Sequence, residues 1–196
     1  MGAADRRFGR AFFNRPTLVV ARELLGKTLV RVEADGLTGG TIVETEAYIG
    51  EEDAACHARA GRTPRTEVMY GPAGVAYVYL NYGLHWLFNI VTEEAEAPAA
   101  VLIRAIVPGL GIERIAARRS RRPESLWTNG PGKLTLALGI TGADNGTDLC
   151  APDAGIYVLD ASAVPDASVT RTPRVGLNNV SEPWKSIEWR FLLKEK

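Results

Sequence analysis

The run Ala99-Ala-Val-Leu-Ile-Arg-Ala-Ile-Val107 leaves this chain less choice than any other segment. Its continuous apolar character predicts a buried strand, and Arg104 is the lone charge within it. A guanidinium stays ionised at any physiological pH, and burying it alone is prohibitive. Wherever this strand lies, an acceptor must meet Arg104. A structural salt bridge satisfies that demand, and so does a role in holding a carboxylate or a reacting water.

The surrounding pattern is rich in strands. Lys27–Glu33 alternates apolar and polar residues, Ala34-Asp35-Gly36 supplies a turn, and Gly40–Tyr48 reads as a second strand. After Gly71-Pro-Ala-Gly74, two β-branched and aromatic runs, Val75–Tyr82 and Trp86–Thr92, predict two more. Further strands are expected at Gly155–Leu159, Arg171–Val175 and Ile187–Leu192. Helices are fewer. Pro16 opens the first, with Leu18, Ala21, Leu24 and Leu25 on one side and Gly26 at its end. A basic helix follows over Ile112–Arg119, and a short one begins near Gly132. The expected class is therefore α+β, one domain over residues 1–196 with a curved, mainly antiparallel sheet flanked by helices. Residues 1–11 are expected as a flexible N-terminal extension.

Composition mainly excludes. No apolar run approaches the roughly 20 residues that span a bilayer, and the first residues lack a signal-peptide apolar stretch. A cytoplasmic protein is expected, nucleoid-associated if bacterial. Two cysteines, Cys56 and Cys150, and two histidines, His57 and His85, are too few for a disulfide framework or a zinc centre. No metal centre is expected from so few ligands. The net charge is zero, so nucleic-acid binding is not announced by a positive excess. Arginines nevertheless cluster, at Arg59, Arg62 and Arg65 and again from Arg114 to Arg122, while acids gather at Glu51-Glu52-Asp53.

Several residues could carry chemistry. In Ile42-Val-Glu-Thr-Glu-Ala-Tyr48 an extended chain puts Glu44, Glu46 and Tyr48 on one face and Val43, Thr45 and Ala47 on the other. Such a row suits a pocket rim as well as an ordinary surface strand. Tyr77 and Tyr79 share a strand face, and Tyr82-Gly83 lies at a turn. A tyrosine at a turn tip is awkward to bury and available to insert between stacked bases.

These motifs, in this order, resemble the alkyladenine (3-methyladenine) DNA glycosylase family. The resemblance rests on Val43-Glu-Thr-Glu-Ala-Tyr-Ile-Gly50, His57-Ala-Arg59, Thr63-Pro-Arg65 and Tyr77-Val-Tyr-Leu-Asn-Tyr-Gly83 with Asn89. It continues through Leu102-Ile-Arg-Ala105, Asn129-Gly-Pro-Gly-Lys-Leu134 and Arg174-Val-Gly176, from about Phe12 to the C-terminus. It implies an enzyme that flips damaged purines from double-stranded DNA and hydrolyses the N-glycosidic bond, leaving an abasic site, and it implies no organic cofactor. Glu46 would be the general base, two residues after its local competitor Glu44, with Arg104 and the Val175 carbonyl orienting the water. Tyr48, His57, Tyr79 and Asn89 would hold the base, and Tyr82 would fill the gap in the duplex. Arg59, Thr63, Arg65 and Lys133 would contact the DNA backbone. A monomer acting without a membrane partner is expected. A lesion-binding module without activity would not need Glu46 or Arg104, and a hydrolase of free modified nucleosides would not need Tyr82 or the arginines.

Overall fold

A computed structural model describes residues 7–120 and 122–194. The first six residues of the expected extension, and Arg121 of the second arginine cluster, lie outside the described residues. Residues 7–11 are docked rather than extended away. Arg7 bridges to Leu159, and the Phe8 ring stacks on Phe12 with centroids 3.7 Å apart.

The architecture is one mainly antiparallel sheet of eight strands with helices packed against it. Two short helices come first, α1 (Arg10–Phe13) and α2 (Thr17–Glu23). Pro16 immediately precedes α2, where its fixed φ suits a helix start. Strands β1 (Thr28–Glu33) and β2 (Gly36–Ile49) then form a hairpin. A second hairpin joins β3 (Ala76–Asn81) to β4 (His85–Val91), and β5 (Ala99–Leu110) pairs with both β4 and β2. Helices α3 (Ile112–Arg119) and α4 (Pro131–Leu138) follow. The chain ends in β6 (Ile156–Leu159), β7 (Val169–Thr172) and β8 (Arg190–Leu193). The sheet order is β3-β4-β5-β2-β1-β6, with β8 joined to the far half of β2 and β7 to β8.

Strand periodicity divides the sheet into two faces. Thr45 and Ala47 of β2 point to the helical side, where the Thr45 hydroxyl donates to the Ala21 carbonyl of α2 at 2.8 Å. Phe88 and Ile90 of β4, with Val101 and Ile103 of β5, join the same core, packed with Phe13, Leu24, Leu25, Leu134 and Leu138 from the helices. Each such side chain contributes about 1.5–3 kcal/mol when fully buried. The opposite face carries the alternate residues. Cross-strand register runs Tyr77, Asn89, Leu102, Glu46 and Arg190 through five strands in one row, and directly paired residues share a face.

Several elements differ from the sequence expectation: β5 runs on to Leu110 and β8 begins only at Arg190, and three further differences have a local cause. The first helix has a short predecessor, because Phe12 and Phe13 pack at once into the core. Strand β2 begins earlier and ends later than Gly40–Tyr48, since β1, β5 and β8 together give it partners along its whole length. The strand expected at Arg171–Val175 is instead Val169–Thr172. Pro173, which has no N–H to donate to a ladder, follows it, and Arg174-Val175 turns toward the opposite face.

Two glycines let β2 pair on both sides. A Cβ at Gly40 would lie 2.1 Å from the Val107 carbonyl oxygen, and one at Gly39 would lie 2.3 Å from that of Leu29. Both obstacles are backbone, so relief requires a shift of a neighbouring strand. Gly40→Ala is expected to destabilise the fold by more than ~2 kcal/mol in urea unfolding; a change below ~0.5 kcal/mol would show that β5 can move aside.

Candidate active site

The face opposite the helices is built around two carboxylates of β2. Glu46 is 0% exposed and accepts three hydrogen bonds. The Val175 N–H donates to Oε1 at 2.7 Å, the Tyr48 hydroxyl to Oε2 at 2.8 Å, and Arg104 Nη1 to Oε2 at 3.2 Å. Glu44 does a different job. Its Oε1 accepts from Arg104 Nε at 2.6 Å and from Arg190 Nε at 2.7 Å. Arg104 is therefore gripped at both ends of its guanidinium, with its side chain only 13% exposed.

Local strand geometry explains the aim. The β2–β5 register steps from Ile42↔Ile106 to Glu44↔Ala105 and then to Thr45↔Ile103, so Val43 and Arg104 have no opposite number. Two compensating irregularities of this kind bend the pair and redirect a side chain. Burial works against the Arg104 charge, but Glu46 and Glu44 outweigh it and hold its pKa above the ordinary value. Burial, then the charge of Glu46 and the bond to it, push the Tyr48 phenol well up. Tyr48 therefore remains an O–H donor to the carboxylate.

Beside this carboxylate lies a pocket lined by Tyr48, His57, Tyr79 and Asn89, with Cys56, Met69, Tyr77 and Ala100 completing it. The four residues expected to hold a base are thus brought together. The His57 and Tyr79 rings meet edge to face at 4.4 Å, and His57 Nδ1 shares a hydrogen bond with the Tyr77 hydroxyl at 2.9 Å. The Asn89 amide donates to the Tyr77 carbonyl at 3.0 Å, which fixes its orientation. Burial and then the Arg65 guanidinium push His57 down to about 4, so its ring is neutral at physiological pH. Burial pushes the Cys56 thiol up to about 12, which keeps it protonated and a poor nucleophile.

The rim is exposed and partly basic. Tyr82 sits at the β3–β4 turn, 90% exposed. Its φ of 49° lies in the left-handed region, and the following Gly83 is there too. Arg59, Thr63 and Arg65 belong to the segment after the pocket's His57, and the Arg65 guanidinium lies 5.2 Å from the Tyr79 ring centroid. Arg62 is tied to Glu67 and Glu96. Lys133 stands at the start of α4 and donates to Asn129 Oδ1 at 2.8 Å. Gly132 beside it packs closely on His85 of the Tyr82 hairpin. Two members of the second arginine cluster are paired with acids, Arg114 with Asp35 and Arg118 with Glu33.

Val175, expected to act through its carbonyl, also engages Glu46 through its N–H. Sequence reasoning gave no role to Tyr77, Arg190 or Asp53. Asp53 sits in an acidic run of sequence yet is fully buried against Arg174. An acid beside apolar Ala54 and Ala55, with an arginine in Arg174-Val-Gly176 to match it, was the available signal. Among the described residues no group of three or more His, Cys, Asp or Glu could hold a metal ion, and no helix is long and apolar enough to cross a membrane.

Comparison with known proteins identifies the family. The family model described as Methylpurine-DNA glycosylase matches residues 11–196. A protein of Myxococcus xanthus is 48% identical over 94% of this chain and 89% of its own length. One of Desulfitobacterium hafniense is 45% identical over 97% and 96%, and one of Methanocella arvoryzae 49% identical over 90% and 89%. All three carry the name "Putative 3-methyladenine DNA glycosylase". The match spans the sheet, the pocket and the C-terminal strands alike, and the class it sets is that of DNA glycosylases. Within that class, the chain belongs to the methylpurine-DNA glycosylase family.

The neutral state of His57 has a direct check. Its folded pKa is depressed below that of an unfolded histidine, near 6.5. The stability it contributes is therefore complete above that value and lost as pH falls toward about 4. The His57 ring resonances in NMR should titrate with a midpoint near 4; a midpoint between 6 and 7, ordinary for an exposed ring, would contradict the burial argument.

Proposed function

We propose that this chain removes alkylated purines from double-stranded DNA by hydrolysing the N-glycosidic bond, with Glu46 activating the water. One observation carries the reading: a fully buried carboxylate, held by three donors, is bonded to Tyr48 of an aromatic pocket, and the strand that gives the pocket Tyr77 and Tyr79 leads into an exposed tyrosine, Tyr82. Families of hydrolytic enzymes place a carboxylate in this way to take a proton from water and to stabilise a developing positive charge on sugar.

The acceptor positions of Glu46 suit that task. Each carboxylate oxygen has two lone pairs. Oε2 receives Tyr48 and Arg104, while Oε1 receives only the Val175 N–H. Oε1 therefore keeps one position for a water that attacks the sugar C1′. Arg104 fixes the carboxylate from one side and Val175 from the other, and general base catalysis of this kind contributes about 10²–10⁴-fold. No lysine lines the pocket among the described residues. The nucleophile in this reading is water, so the product is an abasic site without strand cleavage, and the reaction draws on no metal or organic cofactor.

The pocket suits an extruded purine. Tyr48 would cover one face of the base, and His57 with Tyr79 the other. Aromatic faces attract a cation, which favours a purine made cationic by alkylation over a normal base. Asn89, with its amide oriented by the Tyr77 carbonyl, would clash with the exocyclic amine of normal guanine and so select by rejection. Flipping costs a few kcal/mol of pairing and stacking. Tyr82, entering the gap, would return about 1–3 kcal/mol of that. Arg59, Thr63, Arg65 and Lys133 would hold phosphates, which gives position without sequence preference.

Glu46→Gln is expected to keep affinity for methylated duplex DNA while its single-turnover base release falls at least about 10²-fold. Release at the wild-type rate would remove Glu46 from the mechanism. Methylated DNA treated with the wild-type protein should break only after hot alkali, and breaks before alkali would point to an amine nucleophile. Tyr82→Ala should weaken binding to lesion-bearing duplex by about 1–3 kcal/mol, read by fluorescence anisotropy. Unchanged binding and turnover would leave Tyr82 without its role in the gap.

A further inference from the structure

We propose that the buried pair Asp53–Arg174 is a positioning device that holds Glu46 in register with both walls of the aromatic pocket; the inference rests on the excision reading above. Both side chains are fully buried, and their contact is bidentate, with Nη1 to Oδ2 at 2.5 Å and Nη2 to Oδ1 at 2.8 Å. Neither residue lines the pocket, so neither meets the base directly.

What the pair does is join three separate pieces of chain. Arg174 Nη1 also donates to the Ala47 carbonyl at 2.9 Å, on the residue between Glu46 and Tyr48. Nη2 reaches the Trp184 carbonyl at 3.3 Å. The guanidinium carbon lies 4.7 Å from the Tyr48 ring centroid and 5.1 Å from that of Trp189. The main chain continues at once into Val175, whose N–H holds Glu46 Oε1 at 2.7 Å. On its side, Asp53 accepts from the Ala55 N–H at 3.0 Å and the Ile49 N–H at 3.3 Å. It thereby sets the start of the segment that delivers His57 to the opposite wall. One ion pair thus connects the carboxylate, Tyr48 and the approach to His57.

The energetics argue for geometry over stability. A buried ion pair often adds little net stability, because desolvation offsets the attraction, and an apolar pair of similar volume can serve a core as well. An apolar pair has no fixed fork of donors, however. Arginine presents five in one plane, and here Nη1 and Nη2 reach acceptors on three segments while the buried Nε has no partner among the described residues. Lysine keeps the charge but is a point donor on a flexible stem, so it cannot hold all three.

The test compares Arg174→Lys with wild type in single-turnover base release from methylated duplex DNA, over a range of enzyme concentrations. Thermal unfolding of each protein is measured alongside. The maximal rate is expected to fall about 100-fold, the scale of a 1 Å misplacement of catalytic groups. The half-saturating enzyme concentration should stay within about threefold, since the DNA-contacting rim is untouched. The double variant Asp53→Asn/Arg174→Gln leaves no unpaired buried charge, and it should show the same split. A folded variant with a near-wild-type maximal rate overturns the proposal. So does a loss that appears only in half-saturation. Failure of both variants to fold makes the pair a stability element and likewise overturns the positioning role. Absence of base release by wild type itself strikes the excision reading instead, and the inference falls with it.

Discussion

A charged guanidinium inside an apolar strand is the constraint on which the site depends. Arg104 must have partners, and the strand beside it supplies two, Glu44 and Glu46. Removal of either carboxylate would leave a buried positive charge short of compensation, a far larger cost than an exposed pair carries. The two acids divide the work. Glu44 is shared with Arg190 and ties β2 to both β5 and β8. Glu46 is thereby left to bond Tyr48 and Val175, with one acceptor position to spare. The irregularities in the β2–β5 ladder allow Arg104 to reach both acids at once.

The remainder of the fold keeps that cluster on a rigid platform. Alternation along β2, β4 and β5 sends one set of residues into the helical core and the other set into the pocket. Glycines at 39 and 40 let β2 sit tightly between its neighbours, so a long central strand carries both carboxylates and Tyr48 without slack. Above the sheet, the segment from Asp53 to Tyr70 adds Ala55, Cys56, His57 and Met69 to the pocket wall, and the segment from Arg174 to Trp189 braces Glu46 and Tyr48. A buried ion pair, Asp53–Arg174, joins the two segments, and hydrogen bonds from Arg174 to the Ala47 carbonyl and from Val175 to Glu46 tie them to the sheet.

Much of this was legible from local pattern. Period-two alternation placed Glu44, Glu46 and Tyr48 on one face, and the isolated arginine in Ala99–Val107 announced a partner. Glycine after Tyr82 marked the exposed tip. The basis for the rest is not local. Nothing near Asp53 in sequence shows that its partner lies more than a hundred residues later, and Arg114 and Arg118 of α3 look free until Asp35 and Glu33 are brought beside them. The end of β7 was placed too late because Pro173 interrupts pairing, while Arg174 and Val175 are drawn away by Asp53 and Glu46. The zero net charge was uninformative for a similar reason, since several arginines on both faces are neutralised by specific acids while Arg59 and Arg65 stand exposed near the rim.

In the proposed reaction Glu46 drives direct attack of water on the sugar, and no amine of the chain bonds to C1′. Borohydride trapping separates the two nucleophiles. Methylated duplex DNA is incubated with an excess of the wild-type protein in the presence of borohydride, and free base and protein–DNA adducts are quantified. Release of the methylated base with no protein joined to DNA is the expected result. A borohydride-trapped protein–DNA adduct would contradict the proposed reaction, because it would show that an amine of the chain, and not a water held by Glu46, had displaced the base.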